Sequence, residues 1–180
     1  NRAKGIYIGT QAGGDRRLNL RPGVDKATID PNRMFTRGGI QADMKRSAIP
    51  RPGDVEAIEK FGQDYVRTFI DKASVLVAVH NNTNGGYSFE RYLSGGSEAR
   101  ATAALHQARG ADPDNFFLVT QPQVFEALKA MNYNVILQAR NPPNDGSLSV
   151  YAAIRGWNYI NVEAEHGAAA IQAKMFKDLW

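Results

Sequence analysis

Three groups in this sequence can handle protons, carboxylates or metals, and each stands where a regular element gives way to a turn. His80 closes the apolar run 74–79 and is followed by Asn81-Asn82-Thr83-Asn84-Gly85-Gly86, which is too polar and turn-prone to continue a buried strand. An imidazole at such a junction can ligate a metal or relay a proton, or it can cap the strand through a bond to a neighbouring loop. Asn161, Glu163 and Glu165 alternate near the carboxyl terminus, so in an extended chain they share one face. A carboxylate there, within reach of a metal-bound or His-activated water, makes a general base. The alternative is an acidic pair favoured by the amino-terminal dipole of a final helix. Glu163, inside the strand, fits the first role better, whereas Glu165 fits either. The third group is polar and cationic. Asn32 and Arg33 follow Asp30-Pro31, where the proline forces an extended approach and a sharp exit. Gln138 and Arg140 close another apolar run. A guanidinium in such a place pairs bidentately with a carboxylate.

These groups need a platform, and the hydrophobic pattern predicts one. Residues 4–10 and 17–21 read as short strands joined by a turn at Gly13-Gly14-Asp15, with a third short strand over 26–30. Residues 37–53, with two glycines and two prolines and little periodicity, read as a long surface loop and a candidate rim or lid. Val55, Ile58, Phe61, Tyr65, Val66, Phe69 and Ile70 then fall on one helical face, with Asp54 placed to cap it. Beyond His80 the spacing predicts a helix over the Ala-rich 98–109, a strand over 116–120 and a helix over 123–131. A strand over 134–139, a helix over 147–155, a strand over 158–163 and a helix over 168–179 complete the chain. Strands alternating with helices imply βαβ units. The expected fold is therefore α/β, with a mixed, mostly parallel sheet, helices on both faces and an amino-terminal hairpin at one edge. If the strands ending at His80, at Gln138 and Arg140, and at Glu163 with Glu165 and His166 beyond it are parallel, those groups lie along one edge of the sheet.

Composition narrows the chemistry. At 180 residues the chain is of single-domain size, and its lack of cysteine excludes disulfides, thiolate metal sites and thiol catalysis. Any metal must then be held by His, Asp or Glu. No apolar run of about 20 residues exists to span a membrane, and no signal peptide is visible. Residues 1–51 hold eleven Lys or Arg against four Asp, a local +7, and the remainder eleven against fourteen acids, −3. The basic residues are scattered among turns without a block or interleaved aromatics. That argues against a dedicated nucleic-acid surface and for a cleft that receives carboxylates. His106, in the Ala-rich stretch, reads as a surface or packing residue.

Taken in order, Asp30-Pro31-Asn32-Arg33-Met34-Phe35, VAVHNN and NVEAEHG resemble the zinc carboxypeptidase-like metallopeptidase and amidase superfamily, over roughly residues 25–170. The resemblance implies that Asn32 and Arg33 bind a substrate carboxylate, that His80 is the third zinc ligand and that Glu163 is the base. It implies hydrolysis of a peptide or amide bond, with a cell-wall peptide as the natural substrate in a bacterium and a periplasmic or secreted setting. The family's first two ligands come from an upstream HxxE motif, whereas residues 1–31 hold neither His nor Glu. With Asn1 in place of Met, the chain reads as a processed or excerpted product. The zinc would then share ligands with a missing amino-terminal segment. The alternative is a metal-free binding or interaction module that keeps the fold and uses the basic amino-terminal third and the 81–97 loop.

Overall fold

A computed structural model describes residue 5 and residues 17–19, 28–47 and 51–180. The protein is α/β and divides into two compact units. One comprises the described residues up to Ala73 together with Asn144–Tyr151, and the other comprises Ser74–Pro143 and Ala152–Trp180.

The second unit holds the sheet that positions the polar groups. Its strands are β3 (Leu76–Asn82), β4 (Thr102–His106), β5 (Phe116–Val119), β6 (Val135–Gln138) and β7 (Tyr159–Glu165), in the spatial order β3-β7-β5-β6-β4. β3 with β7 and β5 with β6 are parallel; β7 with β5 and β6 with β4 are antiparallel. Side chains alternate between two faces. Phe117, Val119, Val135, Ile160 and Val162 meet Phe125 and Leu128 of α3 (Pro122–Ala130) and Met175 of α5 (Ala169–Lys177) in one apolar core. The opposite face carries Phe116, Leu118 and Ile136 beneath Phe89 and Tyr92, which come from the short 3₁₀ turn Phe89–Tyr92. β5 is FFLV with every residue buried, as a strand covered on both faces requires.

Several expectations need correction. Residues 98–109 are not a helix: a 3₁₀ turn at Ala99–Ala101 leads into β4, which pairs antiparallel with β6. Alanine favours helix only weakly, and the ladder to β6 outweighs it. Residues 37–53 are not a loop, because Arg37–Ser47 forms α1. Its Ile40 and Met44, four residues apart, are buried, and the glycines of its first turn hide that short period. β3 lies at an edge of the sheet rather than at its centre, and it runs on to Asn82 as β7 runs on to Glu165, their polar ends held by mutual pairing. The strand expected over 4–10 and the turn at Gly13-Gly14-Asp15 fall outside the described residues. β1 (Leu18–Asn19) instead pairs antiparallel with β2 (Thr28–Ile29) in a two-stranded sheet of its own.

In the first unit, Ile29, Met34, Ile40, Met44 and Ile58 form a small core between β2, α1 and α2 (Asp54–Tyr65), and α2 continues as one π-helical stretch over Val66–Ile70. Asp43 of α1 is buried. Arg17 reaches its two oxygens at 2.6 and 3.2 Å, and the Asp30 amide donates to it at 3.0 Å. Burial alone would raise the pKa of Asp43, but the guanidinium and the amide outweigh it and hold the carboxyl below its ordinary range. α4 (Leu148–Arg155) begins in this unit, where Gly146 packs against Gly39.

That contact generates a test. A Cβ on Gly39 would come 2.1 Å from the Gly146 Cα, whereas one on Gly38 would meet only the Asn144 side chain, at 3.9 Å. Gly38→Ala should stabilise the fold by about 0.4–1 kcal/mol through lost unfolded-state entropy. Gly39→Ala, the same change one residue on, should destabilise by about 1–3 kcal/mol, because backbone must move. Urea unfolding of the two variants checks the opposite signs.

Candidate functional site

Parallel pairing sets His80 of β3 opposite Glu163 of β7, with Ala78 opposite Asn161 one step earlier and Asn82 opposite Glu165 one step later. Nδ1 of His80 lies 3.4 Å from Oε1 of Glu163, and Nδ2 of Asn161 donates to that same oxygen at 3.0 Å. The two side chains differ in access: the carboxylate is 5% exposed and the imidazole 37%. Oε2 of Glu163 is buried and has no hydrogen-bond partner. One carboxylate oxygen is thus held by an amide and an imidazole, and the other is buried without a partner. On the far side of Glu163, β5 presents Phe116, whose ring packs against Tyr87 and Tyr92. The hydroxyls of Tyr87 and Tyr92 bond to each other. Tyr92 is 4% exposed. Burial pushes its phenol well above the ordinary range, and Tyr87 and the negative charges of Glu98 and Glu163 push it further in the same direction. The backbone carbonyl of His80 accepts Nε2 of Gln172, from α5, at 2.6 Å.

The other sequence-expected residues are distributed differently. Glu165 is within β7, half-buried, and its amide donates to Asn115 at 3.3 Å, so it does not sit past the strand end. Gln138 and Arg140 do not join His80. β6 runs opposite to β3 and β7, so its carboxyl end lies at the other edge of the sheet, with Gln138 opposite Thr102. The expectation of one shared edge failed because sequence alternation does not fix strand direction. Arg140 instead borders an open pocket of about 350 Å³ with Asn141 and Arg155. Asn32 and Arg33 belong to the first unit, in a 3₁₀ turn over Pro31–Arg33 that Asp30 caps by accepting the Asn32 amide at 2.9 Å. Asn32 Oδ1 accepts the Leu148 amide at 3.0 Å and so caps α4. Arg33 donates Nη1 to the Asn32 carbonyl at 2.7 Å and holds Nη2 3.5 Å from Asp145, with its side chain 26% exposed.

His106 faces Val135 across the β4–β6 ladder, with Nε2 buried and unpartnered, and His166 is exposed. Among the described residues no cluster of three His, Asp or Glu is assembled. His80 with the unpartnered oxygen of Glu163 fits one ligand and one base of a zinc centre, but not the three protein ligands that zinc requires. No described helix is long and apolar enough to cross a membrane. No protein-family model matches the chain, and no curated protein or solved structure matches it.

Sequence reasoning placed Asn161 on the face of Glu163 but gave it no role, and it missed the tyrosine pair. The two-residue spacing was the available signal for Asn161. Tyr92 has none, since a turn of the 83–101 segment brings it over the sheet.

A Tyr92 phenol raised in the folded state supports stability below its unfolded value near pH 10 and withdraws that support as pH climbs through the folded value. Ultraviolet titration of the native protein through pH 10–11 should therefore give the same amplitude for wild type and Tyr92→Phe. In denaturant the variant should lose one tyrosine's amplitude. A native-state difference of one full tyrosine would show the phenol to be accessible.

Proposed function

We propose that this chain contributes to a zinc-dependent centre of the zinc carboxypeptidase-like kind, which hydrolyses a peptide or amide bond in a carboxylate-bearing substrate, such as a cell-wall peptide. The single observation that carries this reading is the buried Glu163 carboxylate, held by His80 and Asn161 through one oxygen and left without a partner at the other. Zinc, when bound, supplies Lewis-acid polarisation of the scissile carbonyl and a more acidic water. His80 is the ligand that this chain offers, and the reading requires two further donors beyond those the described residues assemble. Glu163 is the base: Asn161 orients it, and the aromatic side chains of Phe116 and Tyr92 shield it from bulk water. The resemblance assigns a substrate carboxylate to Arg33, whose guanidinium contacts the Asn32 carbonyl at 2.7 Å and Asp145 at 3.5 Å within the first unit. Asn32 supports it by fixing the local turn. Arg140, at the opposite sheet edge, has no part in this centre.

The test separates base from ligand. In zinc-loaded protein with its full ligand set, assayed on an N-acylated peptide with a free terminal carboxylate, Glu163→Gln should lower turnover by about 10²–10⁴-fold with zinc retained. His80→Ala should lose most of the bound metal, as counted by atomic emission, and Glu165→Gln should keep most of the activity. Unchanged turnover in Glu163→Gln and His80→Ala would remove this pair from the mechanism, and a wild type with neither bound zinc nor turnover would leave the alternative of a metal-free binding module.

A further inference from the structure

One step beyond His80 and Glu163, a second group of oxygens is left without partners. Asp114, 3% exposed, precedes β5, and Asn82, 7% exposed, ends β3. Asn82 donates Nδ2 to the Asp114 carbonyl at 2.8 Å, which settles its amide orientation, since the reverse would face oxygen against oxygen. Oδ1 of Asn82 is then an acceptor, and it is buried and unpartnered. Asp114 accepts the Gly85 amide on Oδ2 at 2.9 Å, and its Oδ1 is likewise buried and unpartnered. No ion pair to Asp114 forms among the described residues, and its own amide is turned to a further carboxylate, Asp112, at 2.9 Å. Glu165 stands opposite Asn82 across the β3–β7 pairing, and its amide donates to Asn115, the residue after Asp114.

A carboxylate buried with one neutral donor and no counter-charge is costly, and a bridging water would satisfy its lone pair but not its charge. The donors that remain are oxygens only: a carboxylate, a side-chain amide and the second lone pair of a backbone carbonyl, with the Glu165 carboxylate on the same strand pair. Oxygen sets of this kind suit a hard cation of flexible coordination. We propose that Asp114 and Asn82, with Glu165, bind a calcium ion that pins the 83–86 loop to the ends of β3 and β7. Two carboxylates match its charge. The site is separate from the His80 centre and does not depend on hydrolase activity.

The experiment uses the full 180-residue chain, stripped with EDTA and melted in about 10 mM CaCl2 or in NaCl of matched ionic strength. With a dissociation constant near 10⁻⁴ M, as in weak calcium modules, the calcium sample should melt about 5–10 °C higher. His80→Ala should show the same rise, and Asp114→Asn should show none. If Asp114→Asn fails to fold, Glu165→Gln, at a half-buried position, should move the calcium midpoint about tenfold higher in calorimetric titration. No rise in wild type would overturn the site, and so would an equal rise in NaCl, which would mean general ionic screening. A rise surviving in Asp114→Asn, or an unchanged midpoint in Glu165→Gln, would overturn the assignment as well.

Discussion

The parallel register of β3 against β7 is the constraint on which the polar groups depend. It makes Ala78–Asn161, His80–Glu163 and Asn82–Glu165 neighbours on one face, and Val77–Ile160 and Val79–Val162 neighbours on the other. A slip of one residue would turn Glu163 into the core formed with α3 and α5 and would bring Val162 out of it. Burying a carboxylate in that apolar layer costs several kcal/mol, so the hydrophobic face enforces the polar one. The His80–Glu163 geometry is thus held by the valines and isoleucines that alternate with these groups along the two strands.

The two faces are built to different standards. On the α3/α5 face, Phe117, Val119, Val135 and Val162 are fully buried and apolar. On the other, Asn82, Asp114, Asn161 and Glu163 each leave a buried oxygen without a partner, and all four lie on or beside β3 and β7. Folded proteins leave few such atoms unmet, and these four are the larger part of the seven among the described residues. The apolar face supplies the burial that lets this end depart from close, fully satisfied packing.

Much of the second unit was legible in the sequence. The strands at 116–119, 135–138 and 159–165 and the helices at 122–130, 148–155 and 169–177 came within a few residues of their expected bounds, because long apolar runs and strong periodicity outweigh local ambiguity. The Ala-rich 98–109 misled, since alanine records no face, and the long-range ladder to β6 decided it as a strand. The helix at Arg37–Ser47 was hidden by its paired glycines, and one of them is there because Gly146 leaves no room for a side chain.

For the site the division is sharper. Residue types and two-residue spacing determined that Asn161, Glu163 and Glu165 share a face and that His80 ends an apolar run, because alternation is a local property of extended chain. Strand direction is not local. Tertiary pairing alone decided that β3 and β7 run together, that β6 runs against them and carries Gln138 and Arg140 to the opposite edge, and that Tyr92 folds over Glu163. It also decided that Asn32 spends its side-chain oxygen on the Leu148 amide, a partner 116 residues away that no spacing in the sequence announces.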